Sequence, residues 1–185
     1  FLKAEAALRW GLGDPKALYE EGIRSIFAKF DLSSKVDAYL AQTKVVQQKK
    51  GGKFYDIDYV DILDAKNNLP GRLNICVAWD ESDSDETKLE KIITQKWISI
   101  YPNGNEAWVD YRRTGYPILK TNGPAAQNKQ ILPTRMRYPS TEAFQNAKWY
   151  DEAVNGWLGG ENNMTTDVWW ASTAESQSIR LLGRK

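Results

Sequence analysis

The first thirty residues constrain the fold most. Residues 1–10 read as a short helix, because Phe1, Ala4 and Leu8 share one face and the remaining positions are strong helix formers. Gly11-Leu12-Gly13 stops that helix, and Asp14-Pro15 supplies an N-cap followed by a proline at the first helical position. The next helix is expected to run to about Phe30, with Tyr19, Ile23, Ile26, Phe27 and Phe30 on one apolar stripe and Ile23, Phe27 and Phe30 buried. Two helices joined by so short a turn predict an antiparallel helical hairpin shaped like one tetratricopeptide unit. A single such unit cannot bury its own apolar face and calls for stacked neighbours. No second copy follows, and the chain opens directly in a helix, so it reads as part of something longer.

Helical periodicity returns in the second half. Thr87 and Glu90 fit a capping box, and Leu89, Ile92, Ile93, Trp97 and Ile100 then share a face. A further helix is expected from about Asn105 to Thr114, with Gly115 as its stop. Pro117, Pro124, Pro133 and Pro139 forbid long helices between them, and residues 140–154 suit one or two short ones. Residues 33–87 are the least regular. A helix is expected within 36–48 and a loop at 49–53. Tyr55, Ile57 and Tyr59 alternate with Asp56 and Asp58 like a short extended segment, and a turn follows at 67–71. The polar tail at 171–185 is expected to be mobile. With 185 residues the expectation is one domain, mainly α, with a helical hairpin, an irregular loop-rich portion and few short strands.

Composition removes whole classes of chemistry. The chain has no histidine, which excludes Ser-His-Asp triads, Cys-His dyads and His-based zinc sites. Its single cysteine, Cys76, cannot form an internal disulfide, and within Ile75-Cys76-Val77-Ala78-Trp79 it reads as a small buried hydrophobe. Lys plus Arg number 25 against 24 Asp plus Glu, a balance that fits no strongly basic nucleic-acid binder. No apolar run is long enough for a membrane-spanning helix, and no dinucleotide, phosphate-loop or nucleophile-elbow motif occurs.

The remaining candidates each have a plain structural alternative. Glu106 and Asp110 lie four apart on one helix face, but two carboxylates on a solvated face are commonplace, whereas a glycosidase needs them across a cleft. The acids at 80–86 lack the glycine and terminal glutamate of a calcium-binding helix–loop–helix, and are read as a solvated loop that places negative charge near the next helix N-terminus. Arg112 and Arg113 are expected to meet their own helix's last carbonyls or neighbouring acids. Asn163-Met164-Thr165 matches a glycosylation acceptor. The notable count is aromatic, with eight tryptophans and nine tyrosines. Flat side chains of this kind build cores and also stack on sugar faces.

Four segments carry a resemblance. FLKAEAALR…GDPKALYEEGIRSIF resembles the last helical pair of the SusD/RagB family, and KLEKIITQKWISIYPNGNEAWVDYRRTGYP resembles that family's most recognisable stretch. ILPTRMRYPSTE is similar to its P-x-R-x-x-Y-P element and NMTTDVWW to its ending. They occur in family order across nearly the whole chain. Asp167 stands where the pattern leads one to expect a basic residue, and the tail beyond Trp170 is longer than expected.

The resemblance implies an α-rich fold and a lipoprotein on the outer face of the outer membrane of Bacteroidetes. Such proteins capture glycans, or in some members peptides, and pass them to a SusC-like TonB-dependent transporter. They are not enzymes and need no cofactor. This chain would be the C-terminal part, with the lipid anchor upstream. Trp97, Trp108 and Tyr111 would then be scaffold, and Trp169 and Trp170 would cover a core edge.

Ligand contacts in the family sit mainly on irregular segments, which points here to residues 50–85. Tyr55, Tyr59 and Trp79 are candidate stacking groups, and Asp58 and Asp80 candidate acceptors for sugar hydroxyls. No metal site, cofactor or nucleic-acid partner is expected. Two other classes remain: a helical protein-interaction module without a small ligand, and a hydrolase, which the absent histidines disfavour.

Overall fold

The computed structural model describes residues 1–43, 47–50, 53–56, 75–118 and 133–168, the two short internal stretches as backbone strands only. The architecture is mainly helical. Among the described residues the regular elements are α1 (Leu2–Trp10), α2 (Pro15–Lys29), α3 (Val36–Leu40), β1 (Gln47–Lys50), β2 (Lys53–Asp56), α4 (Asp85–Ser99), α5 (Gly104–Thr114), α6 (Glu142–Gln145) and α7 (Ala147–Asp151), with a π-helical segment at Glu152–Trp157. The chain forms two compact units, Phe1–Trp108 and Val109–Lys185.

In the first unit, the signals read at the N-terminus become the α1–α2 hairpin. Gly11 ends α1 at φ 67°, a left-handed conformation that glycine adopts without a Cβ penalty. Asp14 caps α2 by accepting from the amides of Lys16 and Ala17 at 2.9 and 3.2 Å. Gly22 lets the hairpin close tightly, since a Cβ there would stand 2.9 Å from the Phe1 ring. The core joins Ala4, Tyr19, Ile23, Val36, Val77 and Ile92, with Phe1, Leu8, Phe27, Tyr39 and Trp79 packed around it. α4 lies against both α1 and α2. Six consecutive residues, Lys91 to Lys96, are buried, which no single helix face accounts for: α4 is enclosed on most sides.

Several expectations change here. Phe30 is 60% exposed rather than buried. α2 ends at Lys29 and the chain turns through Asp31 at φ 57°, so Val36 and Tyr39 from the next elements close the core instead, with the Tyr39 ring 5.0 Å from Phe27. The helix expected within 36–48 stops at Leu40, and Gln47–Lys50 is a strand paired antiparallel to Lys53–Asp56. Lys49, Lys50 and Lys53 of the loop expected at 49–53 therefore lie on the strands, with Lys50 and Lys53 facing each other in the register, and Gly51 and Gly52 lie outside the described residues. The cap of α4 is Ser84, three residues before the capping box that the sequence suggested. Its hydroxyl accepts from the Thr87 amide at 3.2 Å, and Asp85 and Glu86 place negative charge on the first turn. Trp97 is 40% exposed, being past the stretch that α1 and α2 enclose, whereas Leu89, Ile92 and Ile93 are buried as expected.

In the second unit, Tyr111, Thr114 and Tyr116 are buried around the end of α5, and Gly115 takes the left-handed stop at φ 83°. The short helices expected at 140–154 are α6 and α7, and the π-helical segment that follows α7 buries Val154. The turn at 67–71, Trp169 and Trp170, and the tail at 171–185 lie outside the described residues.

Candidate functional site

Of the five residues singled out as ligand contacts, the structure places Trp79 and Asp80 in full. Tyr55 lies on β2 opposite Gln48 in the register, and Asp58 and Tyr59 lie outside the described residues. Trp79 and Asp80 sit in the segment that leads from the core strip at 75–78 to the cap of α4.

The segment is held from one side by the core. Val77 is buried, whereas Cys76, read as a core hydrophobe, is half-buried, its thiol 3.6 Å from the Ala78 carbonyl. Tyr19 donates its hydroxyl to the Val77 carbonyl at 2.8 Å, and the Ala78 amide donates to the Gln42 carbonyl at 2.9 Å. Burial pushes the Tyr19 phenol well above its ordinary range, so it remains a donor throughout the physiological range.

Trp79 is half-buried. Its ring stands 5.3 Å from Tyr19, tilted by 44°, and its indole N–H donates to Glu81 at 3.0 Å. The Lys88 ammonium lies 5.9 Å from the ring centroid. The indole is thus part core, part surface, with its polar edge already satisfied. Asp80 is exposed. Its Oδ1 accepts from the hydroxyl of Ser82 at 2.6 Å and from the Ser82 amide at 2.8 Å, and these two bonds hold its carboxyl below the usual range. A half-buried apolar ring beside an ionised acceptor is chemically suited to a sugar, which presents a flat C–H face and hydroxyl donors.

Sequence reasoning missed the groups that order this segment. Lys91 is buried and donates to the Ala78 carbonyl at 2.7 Å and to the Asp83 carboxylate. Lys88 donates to the Glu81 carbonyl at 3.0 Å. Two lysines three apart on one helix, following a loop of acids, were the available signal. The acids at 80–86 are engaged as lysine partners, Asx-turn acceptors and first-turn charges. Among the described residues, no group of three or more Asp, Glu or Cys is arranged to hold a metal.

The other candidates resolve into scaffold. Glu106 accepts from Lys96 at 2.7 Å, and Asp110 pairs with Arg113 at 2.9 Å, as expected for an arginine near its own helix terminus. In the second unit the two family-like elements meet. Buried Arg135 donates to Asn162 Oδ1 at 3.1 Å and to the Asn163 carbonyl at 3.0 Å, while its guanidinium stacks 4.8 Å from the Tyr138 ring. The amides of Thr134 and Arg135 both donate to the Met164 carbonyl. Asn163 of the Asn-x-Thr tripeptide accepts from the Thr165 amide and the hydroxyls of Thr165 and Thr166, so it orders a turn. A shallow apolar groove of about 490 Å³ also lies along the hairpin of the first unit, lined by Ala6, Leu12, Ala17 and Leu18 among others.

The fold is a mainly helical one with a tetratricopeptide-like hairpin and an aromatic-bearing loop segment. The chain is a member of the SusD-like family: the model of the Susd and RagB outer membrane lipoproteins matches residues 1–171. Solved relatives agree. A chitin-binding SusD homologue from Flavobacterium johnsoniae is 36% identical with a TM-score of 0.74, over 95% of this chain and 35% of its own. A SusD homologue from Bacteroides uniformis is 40% identical with a TM-score of 0.67, over 93% and 35%. A SusD-like protein from Bacteroides thetaiotaomicron is 32% identical with a TM-score of 0.71, over 95% and 36%. The chain therefore spans about a third of the length of these relatives. No curated protein matches it. Among the described residues, no helix is long and apolar enough to cross a membrane.

Proposed function

We propose that the intact protein is a non-catalytic, surface-exposed nutrient binder of the outer membrane, anchored by a lipid upstream of this chain. It captures glycans and passes them to a SusC-like TonB-dependent transporter. The observation that carries the reading is the match to the chitin-binding homologue, at 36% identity over 95% of this chain. Trp79 and Asp80 are the proposed contacts whose side chains are described, and Tyr55, Asp58 and Tyr59 remain the other candidates. A ring packed against the core offers a rigid stacking surface that loses little entropy on binding, and Asp80 orients a hydroxyl. The absence of histidine and the engagement of Glu106 and Asp110 in ion pairs support a role without catalysis.

Retention of the intact protein on insoluble chitin and on a panel of other polysaccharides tests the reading. Retention on at least one glycan, released by its soluble oligosaccharide, is expected. Passage through every glycan, with retention on oligopeptides instead, would replace the substrate class.

A further inference from the structure

We infer that Lys91 is the positioning residue of the Trp79–Asp80 segment, fixing both of its ends from inside the scaffold; this rests on the reading of Trp79 and Asp80 as ligand contacts. The Lys91 side chain is 2% exposed, on a helix whose neighbouring positions Ile92 and Ile93 are fully buried. An ammonium in such surroundings is costly unless it is paired and hydrogen-bonded. Its two partners are the Ala78 carbonyl, at 2.7 Å, and the Asp83 carboxylate. They lie on either side of Trp79 and Asp80 in the chain, so one charge closes the loop across its base. A plain core ion pair would need Asp83 alone. The second bond, to the main chain immediately before Trp79, is what positions the indole.

Other scaffold side chains act in the same sense. Tyr19 holds the Val77 carbonyl and Lys88 the Glu81 carbonyl, so three main-chain acceptors around Trp79 are each bound by a side chain from α2 or α4. Lys91 differs from them in reaching both sides of the loop. A ligand would then meet a segment already ordered, and the cost of ordering it would not be subtracted from affinity.

The test is hydrogen exchange and binding on the intact protein with Lys91→Met and Asp83→Asn. In Lys91→Met, exchange across residues 76–84 is expected to rise about tenfold or more, the weight of charge-assisted hydrogen bonds lost from local closure. The α4 amides at Ile92 and Ile93 keep their protection, and affinity for the hexamer of N-acetylglucosamine falls in parallel. Asp83→Asn keeps the bond to Ala78 and gives a smaller rise confined to the same residues. Unchanged exchange at 76–84 overturns the inference. A uniform rise through α1, α2 and α4 also overturns it, because that is the response to losing a plain core ion pair. Should Lys91→Met not fold, Asp83→Asn decides alone: a rise limited to 76–84 supports the inference and no rise overturns it. Unchanged affinity in Trp79→Ala sinks the reading of the site instead, and the exchange result remains separate from it.

Discussion

Tyr19 on α2 donates its hydroxyl to the main-chain carbonyl of Val77 at 2.8 Å, across 58 residues of sequence. Both residues are buried, so this bond fastens the start of the candidate ligand segment to the helical hairpin. In Tyr19→Phe the ring packing is kept and the carbonyl loses its partner. A loss of about 1–3 kcal/mol is expected, the desolvation cost of an unsatisfied buried acceptor. Urea melts of the intact protein check it, and an unchanged midpoint would show that water replaces the hydroxyl.

Arg135 plays the matching part in the second unit. It is 6% exposed, bonded to Asn162 and Asn163 and stacked on Tyr138. Arg135→Ala should destabilise by about 2–4 kcal/mol, because charge-assisted bonds and a cation–π contact are lost together. Arg135→Lys should recover only part, since an ammonium lacks the planar fork and stacks poorly. Thermal melts of the three proteins give the order; equal melting temperatures for wild type and Arg135→Lys would contradict the planar role.

Ser84 is the cap of α4, the helix that carries Lys88 and Lys91. Ser84→Ala should cost about 1 kcal/mol and Ser84→Asp close to nothing. Equal stability of Ser84→Ala and wild type, by denaturant midpoint, would move the cap elsewhere.

Glu90 gives a pH signature. Burial, with Glu86 one turn before it, pushes its carboxyl up to about 7 from an ordinary value of 4.5. Between those values the native state holds a proton that the unfolded chain has released. Stability therefore falls as pH rises from 4.5 towards 7. Glu90→Gln stays neutral and lacks this slope. It should exceed wild type by about 1–2 kcal/mol at pH 8, a reduced figure because the group is only half-buried, and match it near pH 4. Parallel stability curves for the two proteins would refute the shift.

The helical elements were legible because their signals are local. Gly11, Asp14, Pro15 and Gly115 each act within one turn of chain, and the stripe through Tyr19 and Ile23 needs no partner to be seen. Phe30 shows where periodicity stops being enough: its position on the stripe is right, but the helix ends one residue before it and α3 supplies the cover. Ser84 was missed because Thr87 and Glu90 fit a capping box one turn later, whereas Ser84 has no Glu or Gln three residues on. The site was legible only as residue types. Trp79 was visible as an aromatic in an irregular segment, but what orders it comes from Tyr19, Lys88 and Lys91, contacts set by tertiary packing that no spacing encodes. The meeting of Arg135 with Asn162 and Asn163 was likewise invisible, although both elements stood out individually.

Isothermal titration of the intact protein and its Trp79→Ala variant with the soluble oligosaccharide of a polysaccharide that retains wild type decides whether Trp79 is a ligand contact, with thermal melts of both proteins alongside. Wild type should bind, and Trp79→Ala should lose about 1–3 kcal/mol of binding free energy, the weight of a stacked aromatic contact. Because Trp79 also packs on Tyr19, a moderate fall in melting temperature is expected with it. Affinity unchanged beside a large fall in melting temperature would make Trp79 a core residue alone and contradict the account.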